Sequence, residues 1–256
     1  MPKDGRRPDN GDETWMRDMA EGLSRAMHRE QEAPSPVAET VLECLGPERT
    51  VLDIGAGVGR FAVPLARGGV SLEAVEPSPM MRQYLEGNVR EAGVGDRVRI
   101  IADAWPTEAA GIAEVALAAF VLQFADDPVA FVRAMERHAT RRVVVALHVD
   151  PLWGRFRDVL APLLPPGARR AGDASFKSLL TALIEADIVP DVHIFEQVMG
   201  PRWSSLDEAE SSLKRRFHQD EPGQQAALRQ ILEDHPEFWR TPWPVRAAIL
   251  SWRPPG

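Results

Sequence analysis

Lysine is almost missing from this chain. Lys3, Lys177 and Lys214 are its whole complement, so nearly all the positive charge is arginine. Doublets such as Arg141-Arg142 and Arg169-Arg170 stand alone and form no stripe, and the formal net charge is -8. A nucleic acid needs a row of cations to displace its counterions, so no nucleic-acid partner is expected. Cysteine is scarcer still: with Cys44 alone, no disulfide can close within the chain. That fits a reducing compartment, and cytoplasm is the expected location, with Cys44 as a small buried apolar side chain. Long apolar runs are absent too. Val115 to Leu122 and Val143 to Leu147 fall well short of the ~20 residues that span a bilayer, so no membrane helix is expected. The opening stretch, Met1 to Glu13, mixes Lys3, Arg6 and Arg7 with Asp4, Asp9 and Asp12 around no apolar centre, which reads as a flexible tail rather than a secretory signal. There is no internal repeat and no low-complexity segment.

What is present suffices for a full core: 256 residues, 44% of them hydrophobic, suit one α/β domain with appendages. After an amphipathic helix over Trp15 to Glu30 and a second over Val37 to Leu45, strand-like and helix-like runs alternate. The strands fall at Thr50–Ile54, Val70–Val75, Arg97–Ala102, Val115–Val121 and Arg142–Val149, with helices at Arg60–Arg67, Ser78–Ala92 and Val129–Ala139 between them. Such alternation implies a doubly wound, mostly parallel sheet, and the unbroken Val143 to Leu147 run suits a central strand. Beyond it the pattern predicts helices over Leu152–Leu164 and Phe176–Ala186, a sixth strand over Ile188–Met199, and a last strand near Ala247–Pro254. Between those strands lies a helical insertion, with helices at Leu206–Phe217 and Gln224–Asp234, the first opened by Ser205 and Glu208 at capping-box spacing. The expected divisions are a tail (1–13), N-terminal helices (14–46), a core (47–200), the insertion as a substrate lid (201–244), and the last strand with the C-terminus (245–256).

The most informative stretch is Thr50 to Phe61, where a strand-like run carrying Asp53 meets Gly55-Ala56-Gly57-Val58-Gly59 and then a helix start. Without a Cβ, the turn can lie against a ligand. A dinucleotide fingerprint is spaced G-x-G-x-x-G and seats a pyrophosphate; here the spacing is G-x-G-x-G, and the Asp53 carboxylate would repel that group. It suits instead a ligand carrying an ammonium group and ribose hydroxyls, both of which S-adenosylmethionine has.

On these residues the chain resembles the class I S-adenosylmethionine-dependent methyltransferases. Three further strand ends carry the likeness: Glu76-Pro77, with Glu76 17 residues after Gly59; Asp103-Ala104-Trp105; and Phe120-Val121-Leu122-Gln123 leading to Asp127-Pro128. The resemblance covers roughly residues 37 to 200 and implies a Rossmann-like, seven-stranded fold. It further implies that Asp53 and the loop Gly55, Ala56, Gly57 and Gly59 hold the methionine part, and that Glu76 beside Pro77 takes the ribose hydroxyls. Asp103, Ala104 and Trp105 would meet the adenine, and Phe120 and Gln123 would line the methionine side. The family's product is S-adenosylhomocysteine.

Each residue also has a plainer reading. Asp53 can support loop amides, Asp103 can cap a helix, and Trp105 can be core. Glu76 has no evident local partner. His148, at the end of the fifth strand, is a candidate general base or substrate contact. With Asp150 it would make only half a metal site, and no metal is expected. Trp15, Trp153, Trp203, Trp239 and Trp243 lie outside the cofactor core and read as packing for the additions, the alternative being an aromatic acceptor pocket. Phe120-Val121-Leu122-Gln123 is not the Asn-Pro-Pro-Tyr type used on exocyclic or amide nitrogens, so a small-molecule acceptor is expected, with its O, N or C atom unassigned. A non-catalytic nucleoside sensor and a nicotinamide oxidoreductase are the rival readings, and a homodimer is left open.

Overall fold

The computed structural model describes residues 17, 20–24, 27, 35–150, 176–199, 203–216, 222–241 and 243–255. The core of the fold is a seven-stranded sheet in the order β3-β2-β1-β4-β5-β7-β6. Its strands are β1 Thr50–Ile54, β2 Ser71–Val75, β3 Val98–Ile101, β4 Ala113–Ala119, β5 Ala139–His148, β6 Asp191–Met199 and β7 Trp243–Trp252. The first five strands run parallel, and β7 is antiparallel to both of its neighbours, β5 and β6. The chain walks outward from β1 to β3 and then returns to build the other half from β4. A crevice therefore opens beyond the carboxyl ends of β1 and β4, where an open α/β sheet binds its ligand.

Helices cover both faces. Helices α1 Pro36–Cys44, α2 Ala62–Arg67 and α3 Pro79–Glu91 bury Val37, Val41, Leu65, Leu85 and Val89 against one face; α4 Pro128–His138 and α5 Phe176–Glu185 bury Val132, Met135, Leu179 and Leu183 against the other. Local signals set the starts. The Ser78 hydroxyl accepts from the Met81 amide with Pro79 as first helical residue, and the Asp127 carboxylate accepts from Ala130 with Pro128 in the same place. All seven residues of β4 are buried, as befits the middle strand.

Among the boundaries that depart from the sequence reading, β6 begins at Asp191 rather than Ile188, and three others have evident physical reasons. β4 stops at Ala119, because Phe120 takes a left-handed φ of 60° that no strand tolerates. β5 begins three residues before Arg142, since α4 runs into it at Ala139 with no intervening loop. β7 starts at Trp243, where the rim alternates buried Trp243 and Val245 with exposed Pro244 and Arg246. Cys44 is half-buried rather than enclosed.

The insertion folds as α6 Leu206–Arg216, α7 Pro222–Asp234 and the short, unanticipated α8 Glu237–Arg240. Ser205 Oγ accepts from the Glu208 amide, while the Glu208 carboxylate accepts from Ser204, one residue earlier than a strict capping box. These helices form a separate core of Leu213, Leu228, Leu232, Phe238 and Trp239, which joins the sheet through Trp243 and Val245 of β7. Trp203, Trp239 and Trp243 thus serve packing; Trp15, Trp153, the tail and the helix expected over Leu152–Leu164 lie outside the described residues.

One buried carboxylate ties the entrance of β1 to β4. Glu114 accepts from the amides of Gly46, Glu48 and Arg49 at 3.0, 3.3 and 2.8 Å. Burial pushes its carboxyl up, but these amides outweigh burial and hold it below its ordinary value. Its stabilisation is therefore present above the unfolded carboxylate pKa and lost as pH falls through the lower folded one. Glu114→Ala, which strands three amides, is expected to cost about 3 kcal/mol, read as a lowered midpoint in urea unfolding.

Candidate active site

The turn after β1 lies in the crevice. The Gly55 and Ala56 amides both donate to Val75 O, at 2.8 and 3.1 Å, so the loop curls over the end of β2. Two glycines are needed for different reasons. At Gly59, φ is 91°, a conformation an L side chain rarely adopts, and a Cβ would meet Leu85 Cδ1 at 2.7 Å, so the Leu85 side chain of α3 would have to shift. At Gly57, φ is 58° and the Cβ direction is empty, leaving bare backbone facing open space. Gly55 sits against Val121.

Two acids approach this turn. Asp53 is 2% exposed, and its Oδ2 has no hydrogen-bond partner. Burial, and after it the Glu76 carboxylate, push its pKa up to about 7. Glu76 follows β2 and is itself raised, chiefly by burial. It does have partners, contrary to the sequence reading: Oε2 accepts from Gly57 N and Oε1 from Ser78 N, both at 2.8 Å. The Gly57 partner is 19 residues distant and arrives only when β1 and β2 pair. Pro77 continues the turn, and Arg82 of α3 clamps it by donating to the carbonyls of Glu76 and Pro77.

At the end of β3, Asp103 is exposed and bonds locally, accepting from the Ala104 amide and the Thr107 hydroxyl. The Thr107 hydroxyl first, then the amide, hold its carboxyl below the usual range. No helix follows it, so it caps a turn. Trp105 turns toward α4: its indole donates to Phe131 O at 3.2 Å and meets the His138 ring edge-on, placing it in the core under that helix.

The residues after β4 and β5 form a third group. The Phe120 ring stacks on Phe61 at 6.4 Å and on the His148 imidazole at 4.4 Å, with the Arg60 guanidinium over both phenyl rings. Its left-handed backbone is held from both ends, its amide donating to Ala146 O and its carbonyl accepting from Gln123 Nε2. A bulky residue kept in such a conformation is a strained one, and strain of this kind gathers at functional sites. Asp150 is committed to Arg246 through 2.7 and 2.9 Å contacts.

Several contributors escaped the sequence reading. Phe61, Arg82 and Gln197 carry no motif. Asn88 did leave a trace, as a polar residue between Leu85 and Val89 on the buried stripe of α3. Its Nδ2 donates to Val58 O within the glycine turn, and its Oδ1 accepts from Ser24. Helical residues 20–24 thereby lie across the loop, with Ala20 packed on Val58 and Met81.

The family model of a methyltransferase domain matches residues 18–171, and the chain belongs to that family. No curated protein matches it in sequence. Among solved structures it is similar to an S-adenosylmethionine-dependent methyltransferase from Geobacter sulfurreducens in complex with S-adenosylhomocysteine. The identity is 16%, 93% of this chain and 98% of that one are covered, and the TM-score is 0.55. It is similar also to magnesium protoporphyrin IX methyltransferase from Synechocystis, at 15% identity, 91% and 84% coverage and TM-score 0.54. A third is the geranyl diphosphate C-methyltransferase of Streptomyces coelicolor, at 16%, 85% and 78%, and 0.50. The fold is that of class I methyltransferases.

A raised carboxyl costs the empty protein stability. Asp53 titrates near 4 unfolded and about 7 folded, so its contribution is fully present below pH 4 and lost as pH rises through 7. Asp53→Asn is expected to raise stability of the unliganded protein at pH 8, by up to roughly 4 kcal/mol, and to change little at pH 4; thermal melts at the two pH values read this out.

Proposed function

We propose that this chain transfers the methyl group of S-adenosylmethionine to a small-molecule acceptor. The observation that carries the reading is the Asp53 carboxylate, buried with an unpartnered oxygen beside a glycine turn. A buried polar atom with no partner is costly, and an ammonium group resolves it. In this reading Asp53 receives the ammonium of the methionine part, and the bare Gly57 backbone allows the ligand to approach. Glu76, already steadied by Gly57 and Ser78, accepts from the ribose hydroxyls. Asp103 and Ala104 border the adenine, with Trp105 packed behind them. Phe120, fixed by Gln123, walls the methionine side.

When bound, the cofactor supplies an electrophilic methyl on a sulfonium, whose carbon–sulfur electron pair leaves with a neutral thioether. The chain's task is then alignment, and holding reactants in line supplies roughly 7 to 11 kcal/mol. His148 is the residue proposed to meet the acceptor, on the same edge as Phe120. The helical residues 20–24 cover the cofactor end, and the insertion, rooted at Trp243 and Val245, serves as a lid at the acceptor end. A net charge of -8 supports a small acceptor over nucleic acid. The substrates of the similar enzymes, a metalloporphyrin and an isoprenoid diphosphate, are small molecules as well. Among the described residues no helix is long and apolar enough to cross a membrane, and the cytoplasm is the proposed location.

Incubating the chain with methyl-labelled cofactor and a metabolite extract is expected to move label into a low-molecular-mass product. Binding without transfer would make it a sensor, and no binding would overturn the reading. Glu76→Ala is expected to weaken cofactor binding tenfold to a hundredfold by calorimetry, as for a lost charge-assisted hydrogen bond of about 1.5 to 3 kcal/mol. Because Asp53 must shed its proton to pair with an ammonium, affinity is expected to rise with pH up to about 7, with a limiting slope of about tenfold per pH unit. It should then level off until the ligand's amino group titrates; a flat profile below pH 7 would remove Asp53 from the site.

A further inference from the structure

Asn88 is a buried polar residue on the apolar stripe of α3, and two distant parts of the chain meet on its side-chain amide. Val58 O can only accept, so the amide atom that faces it at 2.8 Å is Nδ2 and the other is Oδ1. Oδ1 can only accept in turn, so the buried Ser24 hydroxyl, 3.3 Å away, is the donor. The two bonds are unequal. The one to the glycine turn has an ordinary length, whereas the one to Ser24 is long for a hydroxyl donor, so the link parts first at Ser24.

The stretch that carries Ser24 touches both sides of the cradle. Ala20, Val58 and Met81 form a small buried cluster with Leu23, Met80 and Tyr84 around it, and the Tyr84 hydroxyl donates to Glu21 at 3.1 Å. Val58 stands between Gly57 and Gly59, while Met80, Met81 and Tyr84 open α3 directly after Glu76, Pro77 and Ser78. Within the same helical stretch lies Gly22. A Cβ there would have open space among the described residues, so packing does not call for glycine. Its effect is on the helix, whose equilibrium a glycine shifts about fivefold toward the unfolded side relative to alanine.

We propose that residues 20–24 are a latch on the cofactor, fastened to the glycine turn through Asn88 and weakened by Gly22, and that its opening sets the rate at which the cofactor or its product leaves. Asn88 is a positioning residue in this arrangement, acting through Val58 and Ser24. The proposal rests on the reading above that the glycine turn holds S-adenosylmethionine.

The full chain is loaded with labelled S-adenosylhomocysteine, chased with excess unlabelled ligand, and the release rate is measured. Ser24→Ala, which leaves Asn88 bound to the turn but frees the helical stretch, is expected to speed release threefold to tenfold, the range for one lost neutral hydrogen bond. Gly22→Ala is expected to act in the opposite direction and slow release about threefold to fivefold. Asn88→Ala is expected to speed release at least as much as Ser24→Ala and to make that substitution silent when the two are combined. Hydrogen exchange of residues 20–24 is expected to slow on ligand binding in the unaltered chain and much less so in Ser24→Ala. A merely structural bond would lower the melting temperature of Ser24→Ala and leave its release rate unchanged; that result overturns the proposal, as does a Gly22→Ala protein that releases no more slowly. Should Asn88→Ala fail to fold, the other two variants decide. Calorimetry of the unaltered chain separates the two readings: binding with one release rate common to all variants removes the latch alone, whereas no binding removes the cofactor site and the latch with it.

Discussion

At the carboxyl end of β1 and β2, two acidic side chains are held out of water around a turn built on glycine. Asp53 is enclosed with one oxygen unmatched, and Glu76 spends both of its oxygens on the backbone amides of Gly57 and Ser78. Burial raises both carboxyls, and the Glu76 charge raises Asp53 further. The surrounding fold makes the arrangement tolerable: Glu114 anchors the approach to β1, Arg82 clamps the turn after β2, and Asn88 ties the glycine turn to α3. In the proposed reading, an ammonium group beside Asp53 would match its lone oxygen.

The ring cluster after β4 and β5 is organised differently. There the stacked rings of Phe61, Phe120 and His148 lie with the Arg60 guanidinium over the two phenyl groups, and Gln123 and Gln197 bring amides to them. Asp150, which follows β5, is paired with Arg246 of β7.

How far the sequence reached can be judged residue by residue. Thr50–Ile54 was legible because an apolar run is bounded by Arg49 and a glycine turn, and the acids at three strand ends followed from the alternation. Long-range pairing was not legible. Glu76 looked partnerless although the Ser78 amide is local, because its other amide, that of Gly57, comes from the turn after β1, and Gln197 looked ordinary because alternation fixes which residues share a face without saying what that face meets. The end of β4 was overrun since Phe120 and Val121 are apolar, whereas the left-handed turn at Phe120 is imposed by Ala146, Gln123 and two neighbouring rings. Trp105 illustrates the converse, an aromatic at a strand end claimed by the helix beneath it.

The place of β7 bears on how the molecule assembles. It lies between β5 and β6, so β6, although synthesised earlier, has no described strand to join until β7 has left the ribosome. Until then, the outer border of β5, including His148, is bare of its partner. Contacts so distant along the chain form slowly. The parallel half built from β1 to β5 can close during translation, while the outer border of β5 waits for Trp243–Trp252.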